Sequence, residues 1–288
     1  MAFVRRALQL PTHSSVITPL LDIGLWPLRY RRARMALKYL AYLVDCPAVL
    51  VAAAFRVSCN LVHAGHPSWI SDLHYALHRL PSRVPFDPTV PITAASVQTL
   101  LRALEAALAT HVRGLIQQAT KLAVWREAVL SLLPQPPAVS ALFKQREYLR
   151  ISCARTRKDV ARLFSGVSPC AIEALRSRGI PRARRICRFC RARAIVEDEH
   201  HILFECPDPT LQETRTRFYT AVFAIEPGLL HLRRRCGDWH FFGTTMNNAR
   251  TANAAATLVT TAFTRVRTTA PLILDSEEDL MALPNLPG

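Results

Sequence analysis

Apolar residues recur every three or four positions along most of this chain, which is the spacing of helices buried on one side. The longest such run extends from Thr93 to Leu133, with Thr93 placed to cap its start. Its apolar positions are Leu100, Leu101, Leu104, Leu108, Leu115, Leu122 and Trp125. We expect one long helical segment here, with a kink or break at Gly114.

Shorter helices are predicted on both sides of this segment, at residues 2–45 (with breaks at Pro11 and Pro27), 47–62, 68–80, 210–223 and 247–266. Ser68 suits the N-cap of the third of these, with Leu73, Leu77 and Leu80 on its buried side. Residues 81–91 read as a proline-rich connector and 239–243 as a short extended piece. The pattern therefore predicts a mostly α fold, with helical bundle regions, a small zinc-knuckle and β-turn module, and C-terminal helices.

The helix that begins near Leu28 has an apolar side and a basic side. The apolar positions are Leu28, Met35, Leu37, Leu40 and Leu43. The basic positions are Arg29, Arg31, Arg32, Arg34 and Lys38. Such a helix can lie with its basic side on phosphates, and an ordinary solvated helix face is an equally good interpretation.

The segment Pro134–Pro137 separates two parts of different composition. We predict one helical region at 1–133 and a basic helical region at 138–270. Residues 271–288 hold four acids, Asp275, Glu277, Glu278 and Asp279, and no base. This acidic tail is predicted to be disordered.

Charge is the most informative bulk property. The net charge is +16, and all but four of the 37 basic residues are arginines. Residues 144–193 contain fifteen bases against three acids. A basic run of this kind is typical of proteins that bind polyanions, although a GC-rich gene would also raise the arginine content.

The spacing C-x2-C-x10-H-x4-C at the end of this run predicts a metal site. Its donors are Cys187, Cys190, His201 and Cys206, and His200 is a competing ligand that fits the spacing to the last cysteine less well. Four sulfur and nitrogen donors are the tetrahedral set that Zn²⁺ prefers. The sequence carries no secretory signal, so its thiols are expected to stay reduced and to serve a metal better than disulfides. With all four positions filled by protein, the single zinc would be structural.

The basic residues beside and inside this motif are the candidates for contact with nucleic acid. They are Arg182, Arg184, Arg185, Arg188, Arg191 and Arg193. Phe189, between the first two cysteines, either stacks on an unpaired base or fills the small core of the knuckle. The acids Glu197, Asp198 and Glu199 are expected to accept hydrogen bonds from the imidazoles or to pair with Arg191 and Arg193.

No catalytic pattern stands out. We find no glycine-rich phosphate loop, no G-x-S-x-G or H-E-x-x-H motif and no pair of aspartates in an apolar strand. The chain is therefore expected not to be an enzyme and to have no small-molecule substrate. The best candidate for a membrane span, residues 48–62, is short and interrupted by Arg56, so no membrane partner is expected. The predicted location is nuclear or cytoplasmic, with a mitochondrial presequence at Met1–Arg6 as the alternative.

Three segments together resemble one protein family. Cys187-Arg-Phe-Cys190 followed by His201-Ile-Leu-Phe-Glu-Cys206-Pro207 is similar to the zinc-knuckle end of non-LTR (LINE-type) retrotransposon reverse transcriptases. The segments 25–31 and 66–73 are similar to the helical region that follows the polymerase thumb in those proteins. The resemblance implies a C-terminal fragment with thumb-adjacent helices at 1–133 and a CCHC knuckle that grips RNA or DNA. The polymerase and endonuclease residues of the family are absent from this sequence.

Two functions follow as expectations. The first is a non-catalytic nucleic-acid-binding fragment that grips phosphates through an arginine-rich surface and a structural zinc knuckle. The second is a zinc-stabilised protein-interaction module whose charge only keeps it soluble. The residues do not indicate an oligomeric state or a preference between RNA and DNA.

Overall fold

The computed structural model of the chain describes residues 2–274 and 276–284. Helices hold 64% of the residues and strands 1%, which confirms the predicted mostly α fold. The α-helices of the described residues are α1 (Ala2–Ala7), α2 (Ile17–Ile23), α3 (Leu28–Asp45), α4 (Val49–His63), α5 (Trp69–His78), α6 (Ala94–Gln118), α7 (Ala123–Ala128), α8 (Val139–Leu142), α9 (Ala154–Phe164), α10 (Ala171–Ala174), α11 (Pro209–Ile225), α12 (Leu229–Arg233), α13 (Asp238–Asn247), α14 (Ala252–Arg267) and α15 (Glu277–Met281).

The chain forms two compact units, which divide it differently from the predicted regions 1–133 and 138–270. The large unit comprises Met1–Ile23, Ala119–Gln135 and Lys144–Gly288, and the small unit comprises Gly24–Gln118 and Pro136–Phe143. The small unit is thus an insertion between segments of the large one. A proline-rich boundary marks where a chain turns, but which segments pack together depends on long-range contacts that a local composition shift does not report.

In the small unit, α3 packs on α6 and also meets α4 and α5. The predicted caps are confirmed, since Ser68 Oγ accepts from Ser71 N at the start of α5 and Thr93 Oγ1 accepts from Ser96 N before α6. Helix α6 ends at Gln118 and runs through Gly114, so the predicted helix break at that glycine is wrong.

The predicted apolar stripe of α3 is only partly correct. Leu37, Leu40 and Leu43 are buried, whereas Leu28 and Met35 are about 60% exposed. The buried positions are those that α6 covers. The hydrophobic pattern also includes apolar residues that no neighbouring helix covers, and these stay exposed.

In the large unit, α14 is the central helix and packs on α9, α11 and α13. Its alanine-rich buried face, which includes Ala255, Ala256 and Ala262, allows these neighbours to approach closely. Residues 239–243, predicted to be extended, lie inside α13 because their aromatic rings pack on two sides of a helix. The predicted final helix begins at Ala252 rather than near Asn247.

A buried carboxylate ties together three segments of the large unit. Asp22 accepts hydrogen bonds from Trp125 Nε1 at 3.2 Å and from Tyr148 Oη at 2.8 Å. Arg146 lies beside it, with Nε 3.7 Å from Asp22 Oδ1. Burial raises the pKa of Asp22, and the neighbouring Arg146 charge opposes that rise.

The described part of the acidic tail contains the short helix α15. Ser276 caps this helix through Asp279, and Arg193 N donates to the carbonyl of Pro284. A capping box and one backbone hydrogen bond thus connect the tail to the rest of the unit. Asp275 and residues 285–288 lie outside the described residues.

Within the described residues, no single helix is long and apolar enough to cross a membrane. Helices α3 and α4 meet that test only when taken together, and they are bent by 117° at the break between them.

A close approach between α13 and the end of α7 gives a stability prediction. A Cβ on Gly243 would lie 1.8 Å from the carbonyl oxygen of Ala128, so one of the two backbones must move. We expect Gly243→Ala to lower the free energy of unfolding by about 3 kcal/mol, as overpacked sites do. Gly114→Ala is the control, because nothing lies within 4 Å of its added Cβ and alanine favours the helix. Urea unfolding curves in which both variants gain stability would contradict this packing.

Candidate metal centre

The first two donors lie on a tight turn between two short paired segments. Ile186 and Val196 form an antiparallel bridge, and the hydrogen bond from Cys187 N to the Ile195 carbonyl, at 3.0 Å, extends it. Arg191 N donates to the Cys187 carbonyl at 3.0 Å and closes the turn. Arg191 takes a left-handed φ of 48° to do so. The backbone therefore holds Cys187 and Cys190 on the same side of this turn.

The other two donors come from a single helical turn. Asp198 caps that turn, since its Oδ1 accepts from His201 N at 3.0 Å. The turn is wider than an α-helix, because Cys206 N bonds to the carbonyl five residues earlier, that of His201, at 2.7 Å. In a regular α-helix residues five apart point about 140° away from each other. The wide turn reduces this angle, which lets His201 and Cys206 face the same point.

All four predicted donors converge. The ligand atoms of Cys187, Cys190, His201 and Cys206 lie within 4.8 Å of one another. Cys187 Sγ is 3.7 Å from Cys206 Sγ, and Cys190 Sγ is 3.5 Å from His201 Nε2. Three of the four side chains are buried and that of Cys190 is half-buried. This cluster can hold a metal ion, and among the described residues no other group of three or more Cys, His, Asp or Glu does so.

The structure also separates the two adjacent histidines. His200 turns away from the cluster, with Nδ1 3.2 Å from Glu205 and Nε2 3.2 Å from Asp238. Its ring packs beside Trp239. His201 presents Nε2 to the thiols, while its Nδ1 lies 3.6 Å from Glu205. A carboxylate on the far nitrogen is the arrangement that orients metal-bound imidazoles, so His201 is the donor that was predicted.

Two of the three thiols, those of Cys187 and Cys190, have a raised pKa. Burial is the main cause that raises the pKa of Cys190 to about 11. The thiols of Cys187 and Cys206 share a hydrogen bond, which raises the pKa of Cys187 and lowers that of Cys206. A metal ion would favour three thiolates here, so its binding must release protons.

Backbone N–H groups are already aimed at the three sulfurs. Those of Cys190, Ala192 and Asp208 act on Cys187, Cys190 and Cys206 respectively, and each lowers the pKa of the thiol that it faces. Such donors stabilise negative charge on sulfur. The backbone is therefore arranged for thiolates, although the surrounding burial disfavours them.

An ion pair inside the motif fixes residues 187–206 to the rest of the large unit. Glu197 is fully buried and accepts from Arg188 Nε at 2.8 Å and Arg188 Nη2 at 2.6 Å. It also accepts from the backbone N–H of Ala171 at 2.7 Å and of Arg188 at 3.0 Å. Arg188 Nη1 then donates to the carbonyl of Val266, at the end of α14, where a cation also complements the helix dipole. One side chain between the two cysteines thus joins the metal turn to the central helix.

This arrangement contradicts one predicted nucleic-acid contact. Arg188 is 6% exposed, and its guanidinium is used by Glu197 and by the end of α14. It cannot reach a phosphate without leaving a buried carboxylate unpaired, and that costs several kcal/mol.

The other predicted contacts divide into exposed and half-buried side chains. Arg182 and Arg191 are exposed, and Arg182 makes only a 3.5 Å pair with Asp198. Arg184, Arg185 and Arg193 are half-buried. Arg185 donates to the carbonyls of Ile180 and Ile172, and Arg193 contacts Met281.

Phe189 is half-buried and is covered on one face. The Arg265 guanidinium lies 4.8 Å from the ring centroid, and Asp208 holds that guanidinium at 3.0 Å. The contact with Arg265 favours the packing interpretation of Phe189 over base stacking on that face. Nothing in the local sequence indicated it, because Arg265 follows 76 residues later.

The acidic trio has other roles than those predicted. Glu197 pairs with Arg188, Asp198 caps the helical turn, and Glu199 accepts from Ser168 Oγ at 2.6 Å. The carboxylates that lie beside the imidazoles are Glu205 and Asp238. Glu205 follows His201 by four residues, whereas Asp238 comes from α13, so the local sequence gave no sign of the second carboxylate.

Comparisons with protein families, with curated proteins and with solved structures find no match for this chain. The class that the fold and the site define is therefore a mostly helical protein with a Cys₃His cluster that can hold a metal ion.

Proposed function

We propose that the cluster binds one structural Zn²⁺ and that the zinc-stabilised module contributes to nucleic-acid binding without catalysis. The donor geometry supports zinc. A Zn–S distance of about 2.3 Å in a tetrahedron requires sulfurs about 3.8 Å apart. The Cys187–Cys206 separation of 3.7 Å matches that value. Cys187, Cys190, His201 and Cys206 would fill all four positions, so the metal would bring together the two halves of the motif rather than activate water.

The position of the cluster supports the nucleic-acid part of the proposal. It lies at the end of a segment, residues 144–193, with fifteen bases and three acids. Arg182 and Arg191 are exposed beside it and are available to phosphates. The resemblance of the motif to the knuckle of non-LTR retrotransposon reverse transcriptases points the same way. We propose that the chain is a non-catalytic part of such a protein.

Salt dependence tests this proposal. Binding to a fluorescent RNA hairpin should weaken log-linearly with salt concentration, because each phosphate contact releases counterions. We expect Arg182→Gln/Arg191→Gln to make the slope of log K against log salt shallower by about 1.4 to 1.8. Arg217→Gln/Arg235→Gln removes the same charge from exposed positions of the same unit, outside residues 144–193, and should change the slope less. A wild-type curve that is flat between low and moderate salt would reject nucleic-acid binding.

A protein-interaction module is the second candidate, and α4 favours it. That helix has no buried residue, and its Val49 and Leu50 are about 80% exposed. An apolar surface of this kind is common at contacts between proteins. A flat salt curve together with one zinc per chain would favour this function over the first.

A further inference from the structure

An open groove in the small unit, far along the sequence from the metal motif, has the chemistry of an anion site. It lies between α3 and α5 and has a volume of about 670 Å³. Arg29 and Arg32 line it from α3, and Trp69, Asp72 and Arg79 line it from α5 and its C-terminal end. Ala33, Ala36 and Ala76 form much of the remaining wall.

The three guanidinium groups of this groove are not neutralised. All three side chains are exposed, and within the described residues none has a carboxylate within ion-pair distance. Arg29 and Arg32 are one helical turn apart, so about 4.5 Å of helix axis separates them. Arg79 is held in place because its guanidinium stacks over the Tyr75 ring at 5.1 Å. Asp72 is the single acid that lines the groove, which leaves a positive balance.

The groove also contains one aromatic side chain, that of Trp69. Trp69 is the first residue of α5 and is half-buried, with Tyr39 in a T-shaped contact at 5.6 Å between ring centroids. That contact and the capped start of α5 fix the indole. A fixed indole beside guanidinium groups is what proteins use to stack an unpaired base while its phosphates are bound.

We propose that this groove binds single-stranded nucleic acid, with phosphates on Arg29, Arg32 and Arg79 and a base against Trp69. The inference rests on the proposed function and extends it to a second surface. The proposal also favours one of the two interpretations of the basic helix that begins near Leu28, namely contact with phosphates. Two of the arginines of that helix, Arg29 and Arg32, line this groove. A duplex does not suit the site, because its stacked bases offer no face to the indole.

The experiment compares two double variants of the full chain. Arg29→Gln/Arg32→Gln removes two charges from the groove. Arg56→Gln/Arg102→Gln removes two charges from exposed helix positions of the same unit outside it. With a fluorescent oligo-uridine, the groove variant should make the salt slope shallower by about 1.4, and the control variant should retain the wild-type slope. Trp69→Leu should weaken binding about tenfold at fixed salt, which is within the range for one stacked base.

The possible results separate this inference from the proposed function. If wild type binds RNA and both double variants have equal slopes, the groove is not the site, while the proposed function stands. If wild type binds no nucleic acid at all, both fail. Displacement of the oligo-uridine by an equal concentration of an oligo-glutamate peptide would also overturn the proposal. It would show that the groove recognises negative charge and not a base. Circular dichroism of each variant confirms that loss of binding is not loss of helix.

Discussion

Cys190→Ser is expected to remove essentially all bound zinc from a protein that otherwise carries one ion per chain. Cys190 is the half-buried donor of the four and lies 3.5 Å from His201 Nε2, so its loss leaves an incomplete tetrahedron. In small zinc-finger sites, zinc binding contributes about 10–16 kcal/mol of apparent free energy at neutral pH. The bound metal would join the turn at 187–190 to the helical turn at 199–205, because each supplies two of the four ligands. We therefore expect them to separate when the metal is lost.

Metal analysis of the purified protein measures this outcome, and hydrogen exchange locates it. Amides of residues 185–206 should lose protection in Cys190→Ser. Cys153→Ser is the matched control, since that thiol is exposed and outside the cluster. A second pair of variants distinguishes the two adjacent histidines. His201→Ala should lose zinc, and His200→Ala should keep it. Full zinc content in both Cys190→Ser and His201→Ala would remove the assignment of these ligands.

Glu197→Gln is expected to lower the free energy of unfolding by about 3–5 kcal/mol, which is typical when one partner of a buried ion pair is removed. The amide keeps the shape of the side chain but removes the charge that neutralises Arg188, which is 6% exposed. It also places an NH₂ group where Glu197 now accepts hydrogen bonds from Ala171 N and Arg188. The loss should therefore reach the end of α14, which Arg188 contacts.

Urea unfolding of zinc-loaded protein measures this effect, with Glu213→Gln as the control. The pair between Glu213 and Arg217 is exposed on both sides, so its loss should leave the midpoint unchanged. The double variant Arg188→Met/Glu197→Leu should recover part of the stability, because it removes both charges together. An unchanged midpoint in Glu197→Gln would show that the buried pair does not hold the knuckle on the helix.

Much of the fold was predictable because its signals are local. Hydrophobic spacing located α3, α5, α6 and α11, and the caps at Ser68 and Thr93 depend on residues three positions away. The four residues of the cluster were also predictable, because Cys187 and Cys190 lie on one turn and the spacing of His201 and Cys206 is equally short. The errors fall where local signals are ambiguous. Residues 239–243 are aromatic and short, so their pattern suits a strand as well as the helix α13.

The division into units could not be predicted from composition. The chain passes from the large unit to the small unit between Gln135 and Pro136, but whether the first 23 residues belong with the chain before or after that point depends on packing over more than a hundred residues. Asp22 illustrates this, since its partners Trp125 and Tyr148 lie far along the sequence. No spacing rule connects these residues.

The sequence by itself determined the helical class, the four residues of the cluster that can hold a metal ion and the excess of positive charge before them. These properties depend on residue type and on short spacing, which the chain retains in any conformation. Only the tertiary structure decided which charges remain available. It assigned Arg188 to Glu197 and placed Arg265 over Phe189, while it left Arg29 and Arg32 open in a groove. The physical reason is that an arginine binds whatever carboxylate, carbonyl or ring the fold brings to it, and those partners come from distant parts of the chain.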